Sequence, residues 1–157
     1  MTKIRTCLWF DTQAEEAARF YVSLFPDGKI TSLSRYGDGA PLPKGTVLVV
    51  HFEINGAGVM ALNGGPTFKL SPAVSMMVSC RTQDEIDHYW EKLSEGGETS
   101  VCGWLTDRFG LSWQVVPDRI DEWISERDPE RSARVTAAVM QMTKLDMAAM
   151  ERAASGG

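Results

Sequence analysis

Histidine, cysteine and paired carboxylates are the side chains of this sequence that could do chemistry, and few of them occur at a useful spacing. His51 and Glu53 stand two positions apart in an apolar run, so a strand would present both on one face. An imidazole beside a carboxylate can act as an acid–base pair or as half of a metal site. A solvated outer face of the strand explains the same spacing and is the preferred interpretation.

Two other side chains are weaker candidates for chemistry. Cys102 could act as a nucleophile, but the sequence places no histidine or carboxylate beside it. A structural thiol is therefore the preferred interpretation. His88 falls beside Asp84 in a helical pattern, where exposure to solvent is expected. Neither residue indicates a catalytic centre by itself.

Composition limits the partners and the compartment of the protein. The 157 residues carry a net charge of −5, which disfavours nucleic acid and anionic membranes as partners. No apolar run has the length of a membrane span, and the first residues, 1–5, lack a secretory hydrophobic region. The three cysteines form no CxxC pair, which favours reduced thiols in the cytoplasm over a disulfide framework.

An internal repeat organises the chain. Residues 75–93 read as an apolar strand, a helix start and a helical pattern, and the same pattern occurs near the N-terminus. At an offset of 69, the apolar helix positions 17, 20, 21 and 24 match positions 86, 89, 90 and 93. Thr12 with Glu15, and Thr82 with Glu85, form the capping-box pattern of a helix start. These boxes are 70 positions apart, so we expect one residue inserted in a loop.

The predicted order of elements is β-α-β-β-β in each copy. The first copy has strands at 3–10, 29–35, 47–54 and 59–62, a helix at 13–25, and a type I′ hairpin turn at Asn55-Gly56. The second has a strand at 73–80, a helix at 83–95, strands near 99–105 and 111–116, and a turn at 107–110. The Gly- and Pro-rich stretch 37–45 is predicted to be a loop, of the kind that serves as a lid or a partner contact. Hairpins with one helix per copy predict an α+β fold.

The chain is accordingly divided into a first module (1–66), a shortened second module (67–117) and a C-terminal helical extension (118–157). In the extension, Asp128-Pro129 predicts a helix start. The apolar stripe that follows comprises Val135, Ala138, Val139, Met142, Leu145 and Ala149. This stripe can cover the chain's own sheet or contact a second copy, and both interpretations remain open.

Four segments carry a resemblance to a known superfamily. They are residues 10–21 (FDTQAEEAARFY), 62–66 (LNGGP), 102–110 (CGWLTDRFG) and 111–117 (LSWQVVP). Together they resemble the PhnB-like branch of the vicinal-oxygen-chelate (glyoxalase/bleomycin-resistance) superfamily, often named the 3-demethylubiquinone 3-methyltransferase family. The resemblance implies two βαβββ modules that form a cupped mixed sheet around a cavity, in a homodimer.

The methyltransferase name has no support in the residues. S-adenosylmethionine enzymes usually bind their cofactor on a Gly-rich turn between a parallel strand and a helix. No glycine of this sequence stands in a GxGxxG turn of that kind. We therefore expect no cofactor of this type.

The resemblance also raises the question of a metal ion. Superfamily enzymes hold a divalent ion with His, Gln or Glu from the first and last strands of each module. Alignment on the shared motifs places Thr6, Ala61, Ser75 and Gln114 at those four positions. Threonine, alanine and serine are poor ligands, and one glutamine amide does not hold a transition metal against water. The expectation is a site without metal.

Alternation along the strands then predicts which side chains line the cavity. The predicted ligand-binding residues are Thr6, Leu8, Phe10, Ala61, Asn63, Ser75, Met77, Trp104 and Gln114. Ser79, Ser112 and Val116 share this face. Asn63 and Gln114 are the expected polar anchors and Trp104 a wall, although turn chemistry before Gly64 is an equal interpretation of Asn63. Core packing is the preferred interpretation of Trp90 and Trp113.

Three functions remain open on this evidence. The preferred hypothesis is metal-free binding of a small molecule in the cup of the sheets. The alternative is a glyoxalase- or dioxygenase-like enzyme that acts on a small oxygenated or aromatic substrate. A purely structural dimer partner is a third hypothesis, because one fold hosts many functions.

Overall fold

A computed structural model describes residues 4–157 of the chain. It contains two sheets, each packed on its own helix, and further helices at the C-terminus. The chain divides into two compact units, Met1–Leu70 and Ser71–Gly157. The first unit contains strand β1 (Thr6–Phe10), helix α1 (Ala14–Leu24), and strands β2 (Lys29–Arg35), β3 (Val47–Ile54) and β4 (Ala57–Asn63). Its sheet has the order β1-β4-β3-β2, in which β1 and β4 are parallel and the other pairs antiparallel. Lys3, the predicted start of the first strand, lies outside the described residues.

The second unit repeats this arrangement with shorter strands. It contains β5 (Ser75–Cys80), helix α2 (Gln83–Ser94), β6 (Glu98–Thr99), β7 (Trp104–Thr106) and β8 (Ser112–Pro117), in the sheet order β5-β8-β7-β6. Helices α3 (Ile120–Trp123), α4 (Pro129–Val139) and α5 (Met147–Ser155) follow. The predicted α+β class and the β-α-β-β-β order of both copies are confirmed. The single strand predicted near 99–105 is wrong, because residues 100–103 separate β6 from β7. None of the helices in residues 4–157 is long and apolar enough to cross a bilayer.

The hairpin between β3 and β4 has the predicted type I′ turn. Asn55 and Gly56 both have positive φ, 48° and 76°. The carboxylate of Asp27 accepts hydrogen bonds from both of their backbone N–H groups, at 2.8 and 2.9 Å. The hairpin is therefore held by the turn that follows α1. The stretch 37–45 forms no helix or strand, as predicted.

The two helices begin differently. At α2 the predicted cap is present, because Thr82 Oγ1 accepts from the N–H of Glu85 at 3.2 Å. At α1 the predicted Thr12 cap is wrong, because the N-cap is Gln13 and its side chain makes no capping bond to a described residue. Instead, Asn63 Oδ1 accepts from the N–H of Ala14 at 2.8 Å. A side chain from β4 thus satisfies one of the unpaired N–H groups of this helix.

Each sheet packs one face on its own helix. In the first unit the rings of Tyr21 on α1 and Phe52 on β3 lie 6.1 Å apart, which marks the helix-packed face. Strand register places Leu8, Ala61 and Val50 on that face, and all three are buried. In the second unit the buried helix-packed face comprises Val78, Cys80, Leu105, Trp113 and Val115.

The inserted residue lies between strand and helix. Three residues, 11–13, connect β1 to α1, whereas two, 81–82, connect β5 to α2. Phe10 and Cys80, which end the equivalent strands, are therefore 70 positions apart, while Ala14 and Gln83, which begin the helices, are 69 apart. A strand slip of one residue moves every side chain to the other face. The offset of 69 is consequently right for the helices and wrong for the strands.

The C-terminal extension packs on its own unit. Val135, Leu145 and Met150 form one buried cluster with Val116 and Trp123. Asp128 caps α4 as predicted, through a 3.0 Å bond from the N–H of Arg131. The apolar stripe is not one continuous helix, since α4 ends at Val139 and α5 begins after its own cap, Asp146.

Candidate functional site

The face of each sheet opposite α1 or α2 is the candidate surface for binding, and we call it the open face. In the first unit it carries Cys7, Trp9, His51, Glu53 and Met60, all exposed or half-buried. In the second unit it carries Ser75, Met77, Trp104, Thr106 and Gln114, of which none is fully buried. Ser112 shares this face but is buried.

The predicted cavity residues of the first unit lie on the helix-packed face. Leu8, Phe10 and Ala61 are buried there, and Thr6 is an exposed residue at the start of the same side of β1. The prediction that these side chains share an open cavity face is therefore wrong. The error comes from the offset of 69, which aligned Thr6 with Ser75. The strands of the two units correspond at an offset of 70, so the first strand was shifted by one residue and its faces were exchanged.

Asn63 is a structural residue and not an exposed polar anchor. It is only 1% exposed, and its side-chain oxygen and nitrogen both have partners. Oδ1 accepts from the N–H of Ala14, and Nδ2 donates to the carbonyl of Val47 at 3.0 Å. The predicted roles as a ligand anchor or a turn residue miss this function. The amide ties α1 and β3 to the end of β4.

The four residues predicted in the second unit share one face of its sheet, and their role in ligand binding stays a prediction. Ser75, Met77, Trp104 and Gln114 share the open face, and the Gln114 Nε2 donates to Ser75 Oγ at 2.9 Å. Met77 is 53% exposed, which is unusual for a large apolar side chain on a sheet. This face therefore presents an indole, a thioether and a bonded amide–hydroxyl pair.

A groove of about 510 Å³ lies beside this pair, and we call it the Ser112 groove. Its lining includes Pro72, Glu98, Ser100, Val101, Cys102, Trp104, Thr106 and Ser112. Ser112 is 1% exposed, and its hydroxyl has no hydrogen-bond partner within residues 4–157. Sequence reasoning placed Ser112 on this face but missed Glu98 and Thr106. Pairing β7 with β8 across the predicted turn at 107–110 would have found Thr106.

The residues at the family's metal positions do not fit a divalent ion. Of the four positions predicted from the alignment, Thr6 and Ala61 lie on the helix-packed side of their sheet, away from the open face. On the open face of the second unit, the side chains of Ser75 and Gln114 bond to each other. Across the described residues, no three His, Cys, Asp or Glu side chains come close enough together to hold a metal. Hydroxyls and a single amide are weak ligands for transition metals.

His51 and Glu53 line a smaller pocket on the open face of the first unit. This pocket of about 250 Å³ is lined also by Arg5, Ser32 and Gly58, and we call it the Gly58 pocket. Glu53 is paired with Lys29 at 2.9 Å. The Nδ1 atom of His51 is shielded from solvent and has no partner among the described residues. The two side chains share a face, as predicted, but no hydrogen bond joins them within the described part of the chain.

The cysteines do not form a reactive centre. All three are free thiols. Burial raises the pKa of Cys80 to about 12, and the negative charges of Glu85 and Asp118 act in the same direction. Burial also raises the pKa of Cys7. Cys102 has a positive φ of 60°, and its Sγ lies 3.9 Å from the sulfur of Met140. A raised pKa lowers the fraction of reactive thiolate, so Cys7 and Cys80 are poor nucleophiles.

The remaining aromatic and acidic predictions fall in the core and on the surface. Trp113 is buried, as expected, and its Nε1 donates to Asp107 Oδ2 at 2.9 Å. Asp107 Oδ1 also accepts from the N–H groups of Phe109 and Leu111, which is the expected local bonding of a turn aspartate. His88 is exposed, as predicted.

Comparison with known families and structures identifies the relatives of this chain. A model of the 3-demethylubiquinone-9 3-methyltransferase family matches residues 2–116. The chain belongs to this family. The PhnB protein from Bacillus cereus is similar to it, with 38% identity, a TM-score of 0.67, and coverage of 73% of this chain and 99% of that one. The predicted PhnB-like branch of the vicinal-oxygen-chelate superfamily is thereby confirmed. No protein of curated function matches the chain.

More distant structures share the fold alone. A protein from Pseudomonas aeruginosa is 21% identical, with a TM-score of 0.62 and coverage of 74% of this chain and 98% of that one. A mutant of the fosfomycin resistance protein FosX from Listeria monocytogenes is 13% identical, with a TM-score of 0.53 and coverage of 73% and 91%. That FosX structure is complexed with Mn(II) and 1S,2S-dihydroxypropylphosphonic acid.

The name of the family does not fit the residues of this PhnB-like chain. The connections from strand to helix, residues 11–13 and 81–82, contain no glycine. Each connection is also too short to wrap around a nucleotide. Neither belongs to a parallel α/β sheet of the kind on which such cofactors are bound. The described residues therefore provide no recognisable site for S-adenosylmethionine.

Proposed function

We propose that this PhnB-like protein binds a small organic molecule in the Ser112 groove without a metal ion. The observation that carries this proposal is the Ser112 hydroxyl, which is buried, unpaired and part of the lining. Buried polar groups without partners are rare in folded proteins and call for an explanation. A ligand that bonds to this hydroxyl would supply the missing partner. The groove volume of about 510 Å³ falls within the range of small-molecule sites.

The chemistry of the lining favours a neutral, oxygenated ligand with an aromatic part. Trp104 offers an indole face, and Ser100, Thr106 and Ser112 offer hydroxyls. Among the described residues that line the groove, Glu98 carries the one charged side chain. No lysine or arginine in this lining compensates it. An anionic ligand would meet an uncompensated carboxylate there. A phenol or a hydroxylated aromatic compound matches these groups better.

The positions of the family metal ligands support binding without a metal. FosX, which shares the fold, is complexed with Mn(II). In this chain, the side chains of Ser75 and Gln114, at two of the predicted metal positions, bond to each other. The alternative function, an enzyme acting on a small oxygenated or aromatic substrate, would then need a mechanism without this ion. His51 and Glu53 are the acid–base candidates for that alternative.

A melting-temperature screen tests the proposal. A compound that binds only the native state raises the melting temperature by mass action. The screen should contain phenols and hydroxylated aromatic metabolites, each measured with a chelator and with added Zn²⁺, Ni²⁺ or Mn²⁺. A rise that persists in the chelator supports metal-free binding. A rise that requires the ion, or turnover of a compound, would favour the enzymatic alternative.

We also propose that the protein is a cytoplasmic homodimer. The three free thiols support a reducing compartment. The exposed apolar side chains of Phe68, Val74 and Met140 support contact with a second copy. Light scattering after size exclusion should give twice the chain mass, whereas a monomer at all concentrations would contradict the dimer.

A further inference from the structure

We propose that the Gly58 pocket, on the open face of the first unit, is a subsite for a small oxyanion such as a phosphate or carboxylate group. This inference does not depend on the proposed function of the Ser112 groove. It concerns different residues and an anionic ligand, whereas the ligand proposed for the groove is neutral. It rests on a gap in the side chains of the sheet, on the charges around that gap, and on an unbonded histidine.

A missing side chain creates the pocket. Gly58 on β4 pairs with Glu53 on β3, and Glu53 pairs with Lys29 on β2. On the other side, Thr6 pairs with Val59, so the preceding residue, Arg5, lies beside Gly58. A Cβ built on Gly58 would meet nothing within 4 Å. Across the sheet, one row therefore runs in the order Arg5, Gly58, Glu53 and Lys29. This row has an empty place at Gly58, between the charged residues at its two ends.

The free charge beside this empty place belongs to Arg5, since Lys29 interacts with both Glu53 and Asp27. Lys29 Nζ lies 2.9 Å from Glu53 Oε2, so this carboxylate is already compensated. Arg5 is exposed, lines the pocket, and has no carboxylate partner in the part of the chain that the structure describes. Its guanidinium is the uncompensated charge of the group, in a protein whose net charge is −5. A guanidinium presents paired N–H donors that match the geometry of a carboxylate or phosphate.

Two further hydrogen-bonding side chains complete the pocket. His51 and Ser32 are register partners on the next row of the open face, and both line the cavity. The Nδ1 of His51 is shielded from solvent and unbonded within residues 4–157. An imidazole and a hydroxyl can each donate to an oxyanion. The pocket thus offers an arginine, a histidine and a serine to one ligand.

The size of the pocket limits the ligand to a small group. Its volume is about 250 Å³, below the range of about 300–1,000 Å³ that is typical of sites for drug-sized molecules. A metal ion is disfavoured, because the single carboxylate is paired with a lysine and Arg5 would repel the cation. An oxyanion of one acidic group, with water, fits both the charge and the space.

The test measures the melting temperature in sodium phosphate and in sodium acetate, each against sodium chloride at equal pH and ionic strength. The wild-type protein should show a stabilisation by at least one of the two anions relative to chloride that saturates with concentration; this saturable part is the anion effect, since the general stabilisation by phosphate does not saturate. Phosphate alone indicates a phosphate-type ligand, and acetate indicates a carboxylate. Titration of the effective anion gives the affinity of each variant.

Two variants and two matched controls make the test specific. Gly58→Val places an apolar side chain in the gap, with its Cβ in open space, and Arg5→Gln removes the free charge. Each should weaken anion binding about tenfold or more: Gly58→Val because the valine occupies the space of the anion, and Arg5→Gln because charge-assisted hydrogen bonds are lost. Gly37→Val, also in open space, and Arg127→Gln, with the same change in net charge at an exposed position, should bind like the wild type.

The outcomes decide the inference in either direction. Loss of the anion effect in Gly58→Val and Arg5→Gln, but not in the two controls, supports the subsite. If the wild-type protein shows no stabilisation by either anion, the inference is overturned. The inference is also overturned if the anion effect survives in Arg5→Gln. This substitution lies on the surface and leaves the core intact, so the result holds even if Gly58→Val does not fold.

Discussion

Gln114 and Ser75, on neighbouring parallel strands of the second unit, bond to each other at 2.9 Å and leave Ser112 beside them without a partner. At two positions that the sequence alignment predicts for metal ligands, this chain thus has an amide–hydroxyl pair whose side chains bond to each other. The unpaired hydroxyl belongs instead to a residue in the adjoining groove. This arrangement explains why the proposed function is organic ligand binding and not metal chemistry.

The first prediction concerns the cost of that unpaired hydroxyl. Ser112→Ala removes a buried group that has no partner, so it should raise the free energy of unfolding of the ligand-free protein by about 1 kcal/mol. Urea unfolding measures this change. Ser79→Ala, an exposed position on the same face of β5, is the control and should change stability by less than about 0.5 kcal/mol. Destabilisation by Ser112→Ala would show that the hydroxyl is satisfied in the native protein.

The second prediction separates the two helix starts. Thr82→Ala removes the side-chain cap of α2 and should cost about 1 kcal/mol of stability. Thr12→Ala removes the same atoms next to α1, where the threonine does not cap, and should cost less than about 0.5 kcal/mol. Equal losses in denaturant unfolding would mean that Thr12 caps α1 after all.

The third prediction concerns Asn63. Asn63→Ala leaves the N–H of Ala14 and the carbonyl of Val47 without their buried partner, and it opens a small cavity. The loss of unfolding free energy should be about 2–4 kcal/mol. Gln13→Ala, at the N-cap whose side chain makes no capping bond within the described residues, is the matched control and should be nearly neutral. A near-neutral Asn63→Ala would remove the structural role assigned to this amide.

The fourth prediction is a loss of stability at alkaline pH. The pKa of Cys80 is raised from 9.0 to about 12 by burial. The folded state therefore holds the thiol proton over a range where the unfolded state releases it, and stability falls as pH rises from about 9 towards 12. In Cys80→Ala, the fall in unfolding free energy per pH unit over this range should be smaller by about 1 kcal/mol. Ser79→Ala, an exposed position that removes no titrating group, should leave the slope unchanged. If the slopes of wild type and Cys80→Ala coincide, Cys80 does not titrate as described.

The fold class could be predicted from the sequence because the helix signals are strong. Apolar residues at helical spacing fixed α1 and α2, and Asn55-Gly56 fixed the β3–β4 hairpin. The faces of the strands could not be predicted as securely. A short apolar run such as residues 6–10 does not reveal which side is buried, and the extra residue in 11–13 shifted the alignment by one.

Tertiary contacts account for the other differences. The cap of α1 comes from Asn63, which is 49 residues away from Ala14 along the chain and is invisible to a local motif. The C-terminal stripe is interrupted because the carbonyls of Met142 and Thr143 accept bonds from the backbone of Cys102 and Gly103. Local helix propensity does not report such long-range competition for backbone groups.

The most direct test of the account is a titration of Trp104 fluorescence with catechol, in the presence of a chelator, for the wild-type protein and for Ser112→Ala. Trp104→Phe identifies the signal that belongs to this indole. Metal-free binding in the Ser112 groove predicts a saturable change in the wild type that is weakened about tenfold or more in Ser112→Ala and retained in Ser79→Ala. No saturable change with catechol or any of the hydroxylated aromatic compounds of the screen, or one that appears only with added divalent metal, would contradict the account.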